Sequence, residues 1–223
     1  NFGNTNDNAE EVAIDSNGDV IEVGFFKSKT DTITNLGTFN LQGNALEQSP
    51  YPSSCTNCPF GDSYIAKYDP SGQLLWYIKT SGEYTESISS VTADNDNNIY
   101  VVGTYLSQGF AMGNYSTTDT NPYLKGFITK ISPSGSILWN QKILPTIGAY
   151  PVNIDVGVQL INVKTDGSGN IYVSGQMRAE SISAGSLSLN LVVQSGQYRQ
   201  DCFIAKYDSN GNPIWLKGIQ GNG

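Results

Sequence analysis

Apolar and polar positions fall into short runs separated by tight turns, and one pair of runs returns three times. Asp62-Ser-Tyr-Ile-Ala-Lys-Tyr-Asp-Pro-Ser-Gly-Gln-Leu-Leu-Trp76 is an apolar run, a turn and a second run ending on tryptophan. The design recurs as Gly126–Trp139 and Asp201–Trp215, with Lys67, Lys130 and Lys206 in one slot, Gly72, Gly135 and Gly211 in another, and the tryptophans in a third. A second strand–turn–strand unit precedes each copy, at Val12–Gly24, Val91–Gly103 and Val163–Gly175. Both units are rich in β-branched and aromatic residues, and periodicity on this scale marks a repeat architecture.

The six turns share one chemistry. Asp15, Asp69, Asp94, Ser132, Asp166 and Asp208 lead, each with a side-chain oxygen able to accept the following backbone N–H groups. Three residues later stand Gly18, Gly72, Asn97, Gly135, Gly169 and Gly211, which tolerate the left-handed conformation. Pro70 and Pro133 preset φ at the second position. Such turns predict three-residue hairpin loops with a bulge. Six hairpins make three units of four antiparallel strands: an all-β chain with blade 1 at about 1–82, blade 2 at about 83–145 and blade 3 at about 146–223 of a single segment. Runs such as Ile99-Tyr-Val-Val102 are apolar on both faces, so the sheets should be sandwiched between neighbours, as β-propeller blades are. Rings have about four to eight blades. Three would therefore belong to a larger propeller, completed by further blades of the same polypeptide or by a second copy.

With the stretches 62–82 and 91–105 in view, the chain resembles the SBBP-type bacterial β-propeller repeat, with an aspartate, an apolar run with Lys, Asp-x-x-Gly, Leu-Trp, then Asp-x-x-Gly-Asn-x-Tyr-Val-x-Gly. Asn97 in place of the turn Gly, Ile21-Glu22 in place of Tyr-Val, and Lys125 in place of the leading Asp depart from it. The resemblance implies a propeller in a secreted or surface protein of bacteria, and no activity. A shared fold does not fix function.

Composition narrows the chemistry. Twelve Lys and Arg against twenty Asp and Glu give a net charge of −8, which argues against nucleic acid and anionic membrane as partners. No apolar run is long enough for a membrane span. With no histidine, His-dependent nucleophilic catalysis and His-bearing metal sites are excluded. The Asp-x-Asn-x-Asp stretch from Asp15 resembles the start of a calcium loop but lacks its Gly and its bidentate Glu, so no metal or other cofactor is expected.

Lys67, Lys130 and Lys206 read as scaffold positions with buried stems, and the three tryptophans as interblade packing. Cys55 and Cys58, in a Pro- and Ser-rich loop, are expected to form a local disulfide in an oxidising compartment, and Cys202 to be a small buried residue. Long loops at about 25–61, 104–125 and 176–200 are the expected recognition surface, joined by the segment 144–159. Tyr51, Tyr105, Phe110, Tyr115, Tyr123, Tyr150 and Tyr198 are the candidate ligand-binding aromatics there. The expected function is a non-enzymatic extracellular scaffold or adhesion module of a larger bacterial protein, binding a glycan or a cell-surface protein. A dimer-completed lectin is the first alternative. A carbohydrate-active enzyme is the second; it would need a carboxylate pair, for which Glu83, Glu86, Asp155 and Asp201 are available without any spacing that selects two.

Overall fold

A computed structural model of the chain describes residues 8–26, 31–32, 40–41, 62–82, 84–148, 156–190 and 200–219. The strands in chain order begin with β1 (Asn8–Ile14), β2 (Val20–Phe26), β3 (Asp31–Thr32), β4 (Asn40–Leu41), β5 (Asp62–Tyr68) and β6 (Leu74–Gly82). Next come β7 (Glu86–Ala93), β8 (Ile99–Tyr105), β9 (Gly109–Met112), β10 (Tyr115–Thr118), β11 (Lys125–Ile131) and β12 (Ile137–Thr146). The last are β13 (Gly157–Thr165), β14 (Ile171–Arg178), β15 (Ser181–Ala184), β16 (Leu187–Asn190), β17 (Asp201–Tyr207) and β18 (Pro213–Ile219). β12 and β13 take up parts of 144–159, where a loop was expected.

The three sheets β1-β2-β5-β6, β7-β8-β11-β12 and β13-β14-β17-β18 are antiparallel and successive, and they stack face to face as β-propeller blades. Lys67 pairs with Trp76, Lys130 with Trp139 and Lys206 with Trp215, so the repeated residues occupy equivalent places. Each of these pairs is followed by a bulge that leaves Leu75, Leu138 or Ile214 exposed. The turns form as their sequence demands. Asp15 Oδ1, for example, accepts the Asn17 and Asp19 N–H groups at 2.9 and 3.0 Å. Asn97 takes φ +62° where its five counterparts are glycine.

The sequence pattern did not anticipate two further hairpins. β9–β10 lies in the loop between the second and third strands of blade 2, yet it pairs with β6 and lengthens the sheet of blade 1. β15–β16, from the same loop of blade 3, pairs with β12 and lengthens blade 2. Each turns through a two-residue loop led by a glycine, Gly113 (φ +55°) or Gly185 (φ +57°). Glycine at the first central position is the type II′ pattern, whose twist suits a hairpin. β3–β4, in the corresponding loop of blade 1, joins none of the three sheets.

Two apolar cores lie between blades, and a third, of Phe26, Tyr64, Ala66 and Tyr68, belongs to blade 1 alone. Ile65, Val23, Val101, Phe127 and Ile88 fill the seam between blades 1 and 2. Ile128, Val102, Leu160, Val173 and Phe203 fill that between blades 2 and 3. On the far face of blade 3 the pattern opens. Ile204 is 38 % exposed where its counterparts Ile65 and Ile128 are 0 %. Cys202 is accordingly exposed rather than buried, because no blade of the described residues packs on the face it shares with Ile204.

Candidate functional site

The polar side chains of the described strands converge on the two seams. On β1 and β7 a bulge leaves one residue of the innermost strand unmatched, and the side chain beside it crosses to the next blade. Glu11 Oε2 accepts the Val91 N–H at 2.7 Å; Ser90, at the same position one blade on, accepts the Val163 N–H at 3.2 Å through Oγ. Buried backbone donors need partners, and these contacts supply them. Blade spacing is therefore fixed by hydrogen bonds as well as by apolar packing.

Trp76 and Trp139 each seat in the following blade. Trp76 Nε1 donates to the Pro133 carbonyl at 2.9 Å, and a Cβ added at Gly135 would lie 3.0 Å from its ring. Trp139 Nε1 donates to the Ser209 carbonyl at 3.3 Å, with Gly211 beneath its ring at 3.1 Å. The turn glycine thus serves twice, taking positive φ and leaving room for the indole of the preceding blade.

The lysines answer to the first turn of their own blade. Lys67 is buried and pairs with Asp15 at 2.8 Å and Asp19 at 3.0 Å. Burial works to raise the Asp15 carboxyl, but Lys67 and the turn N–H groups outweigh it and hold the group below its usual range. In blades 2 and 3 a tyrosine intervenes. Tyr100 and Tyr172 donate to Asp94 and Asp166 at 2.9 and 3.1 Å, and Lys130 and Lys206 lie 5.2 Å above those rings. Blade 1 has Ile21 at that position, so its lysine closes directly on the carboxylates.

One cluster carries unusual electrostatics. Asp62 and Glu86, on facing strands of the first seam, are 3 % and 0 % exposed. As two carboxylates they would leave Asp62 Oδ1 and Glu86 Oε2 buried without partners. Burial, then the hydrogen bond and negative charge of Asp62, push Glu86 far above the carboxylate range. Glu86 therefore holds a proton at neutral pH and donates it to Asp62, while Ser107 donates to Oε1 of Glu86. Nearby, Lys125 is 0 % exposed and donates to the carbonyls of Leu106 (3.2 Å), Ser107 (3.2 Å) and Asn121 (2.7 Å). Burial depresses its pKa, against the attraction of Asp119 at 3.7 Å. Glu86 thus does find a carboxyl partner, Asp62, which spacing in the sequence does not select. The pair has almost no surface for a substrate to reach.

The candidate aromatics divide. Tyr105 and Phe110 stack at 4.7 Å inside the first seam with 0 % and 1 % exposure, so neither ring has a face for a ligand. They are apolar on the inward side of β8 and β9, which is why they pack rather than protrude. Tyr115 packs partly buried against the same core from β10. Tyr123 is half-buried just before β11. Tyr51, Tyr150, Tyr198, Cys55, Cys58, Glu83 and Asp155 lie outside the described residues. A polar cleft of about 280 Å³ was not foreseen: Gln159, Gln176, Gln200 and Arg178 line it at the edge of blade 3. Gln176 donates to Gln159 at 2.6 Å and accepts from Gln200. Among the described residues no group of three His, Cys, Asp or Glu side chains could hold a metal ion.

No family model matches the chain. It is 24 % identical over 239 residues to an uncharacterized WD repeat-containing protein of Acanthamoeba polyphaga mimivirus, an alignment that covers 96 % of this chain and 16 % of that protein. The similarity supports a β-propeller repeat protein. It does not extend to the SBBP family, and a viral relative gives no support to a bacterial source.

Proposed function

We propose that this chain is a segment of a non-enzymatic β-propeller scaffold that presents a surface to a protein partner in an extracellular setting. One observation carries the reading: the reactive side chains Asp15, Lys67, Asp62, Glu86 and Lys125 are all buried, where they hold turns and blades together. The similarity to a WD repeat-containing protein points the same way. The extracellular setting rests on the Asn-, Ser- and Gly-rich composition and on Cys55 and Cys58. The test pairs an affinity capture on the immobilised chain with a turnover screen on polysaccharides. Saturable protein capture without turnover is expected. Turnover abolished by Glu86→Gln would overturn the reading.

Glycan recognition is a second reading, favoured by the amide-lined cleft of blade 3, whose side chains match the polar edges of a sugar. Binding on a glycan array that disappears with Gln176→Ala would support it, and an empty array would end it.

A further inference from the structure

The hairpin β9–β10 carries Asn114-Tyr115-Ser116, the one Asn-x-Ser or Asn-x-Thr sequence of the chain. With x other than proline, that pattern is the acceptor for N-linked glycosylation in a secreted protein. Asn114 is the second of the two turn residues, and Tyr115 and Ser116 open β10. The turn rests on the outer strands of two blades: a Cβ added at Gly113 would lie 3.3 Å from Ile78 of β6 and 3.7 Å from Ile137 of β12.

The Asn114 amide is divided between two tasks. Its Oδ1 accepts the Ile137 N–H at 3.2 Å, and because only the oxygen of an amide can accept, this bond fixes which way the group is turned. Nδ2 is left with no acceptor among the described residues, on a residue that is exposed. Ser116 is exposed too, and its hydroxyl makes no hydrogen bond among the described residues, while the intervening Tyr115 packs against the core. A sugar on Nδ2 would leave Oδ1 free to keep Ile137. Ile137 also lies 23 positions downstream, so a nascent chain presents the acceptor sequence before the donor that latches it has been made.

The site stands beside a feature that a glycan would serve. β10 ends its sheet, so its outer edge meets no strand among the described residues, and Ser116 and Thr118 on it are exposed. An unpaired edge is a template for pairing with another chain, and a bulky, solubilising group next to it blocks that approach.

We propose that Asn114 is an N-glycosylation site whose glycan covers the free edge of β10. In the transfer, Nδ2 attacks the anomeric carbon of an oligosaccharide carried on a lipid pyrophosphate. The C1–N bond forms as the C1–O bond breaks, the pyrophosphate leaves with the bonding pair, and the amide nitrogen gives up one proton. The transferase is that of the secretory pathway, so the inference rests on the extracellular reading above.

The test is expression of the chain behind a secretory leader in cultured eukaryotic cells, with medium and cell extract both treated with a peptide-N-glycosidase. The parent is expected above the 24.0 kDa of the bare chain and to fall to it on treatment, leaving an aspartate in place of Asn114. Ser116→Ala, which leaves the Ile137 latch intact, should run at the bare mass throughout, and Ser116→Thr should keep the shift. A parent without the shift, or a shift that persists in Ser116→Ala, overturns the site. Asn114→Asp retains an acceptor for Ile137 but takes no sugar; it should scatter more light on incubation than the glycosylated parent, and equal scattering overturns the covering of the edge. Free thiols at Cys55 and Cys58 in the secreted chain would instead count against the extracellular reading, whatever the state of Asn114.

Discussion

At the seam between blades 1 and 2, Asp62 faces Glu86 and the two carboxyls are buried together. One blade on, the same two positions hold Lys125 and Val158, and the lysine turns to backbone carbonyls while the valine joins the core. Other positions differ in the same sense. Ser63 Oγ in the first seam donates to the Glu86 carbonyl and accepts the Ile88 N–H, both at 3.0 Å. Around the second seam main chain does that work: Leu124 N–H donates to Val156 and its carbonyl accepts from Val158, at 3.1 and 3.0 Å. Side chain and backbone are therefore interchangeable here, provided that every edge donor and acceptor is met. Apolar packing and the seated tryptophan set the geometry that both chemistries serve.

The largest effect should come from the second seam. Gly157 has φ +129°, and a Cβ there would fall inside contact distance of the Leu124 backbone. Gly157→Ala should cost about 3 kcal/mol or more, read as a shift of the urea midpoint. Lys67→Met comes next. Stranding Asp15 and Asp19 should cost about 3 kcal/mol. Lys206→Met, over an exposed face, should change stability by less than about 1 kcal/mol. Equal losses from the two lysine variants would erase the distinction between a seam and a free face.

The third prediction concerns pH. Glu86 has a folded-state pKa above its unfolded value, so the folded chain binds the extra proton between the two. Its contribution to stability is complete below about pH 4, the unfolded carboxylate range, and is lost as pH rises toward the raised value. The parent should therefore melt at a lower temperature at pH 8 than at pH 5, and Glu86→Gln, which keeps a donor for Asp62, should flatten that slope. An unchanged slope would mean that no proton is held in the first seam. A smaller effect is that of Trp139→Phe, which removes the N–H to Ser209 and should cost about 1 kcal/mol by thermal denaturation.

The blade strands were legible because turn chemistry is local. An Asp or Ser leader with Gly or Asn three residues on fixes each hairpin whatever lies around it. The lysine and tryptophan slots were legible as scaffold because they recur with the sheet. The Asp62–Glu86 pair was not, since its members lie 24 positions apart and meet only across a seam. The clasping hairpins did carry a signal that the loop assignment passed over. Met112-Gly113-Asn114-Tyr115 and Ala184-Gly185-Ser186-Leu187 are glycine-led turns flanked by alternating residues, with Phe110, Met112, Ile182 and Ala184 pointing inward. Reading 104–125 as a recognition loop placed Tyr105 and Phe110 outside, whereas inward alternation along β8 and β9 puts both in the core.

The clasp by which each blade borrows a hairpin from its successor has a consequence for synthesis. As the chain leaves the ribosome, the sheet of blade 1 stays unfinished until Thr118 has emerged, and that of blade 2 until Asn190. Nascent blades are thus completed one step behind translation, each waiting on the next. An early stop inside either hairpin would leave the preceding blade with a bare outer edge, open to pairing with a neighbouring chain.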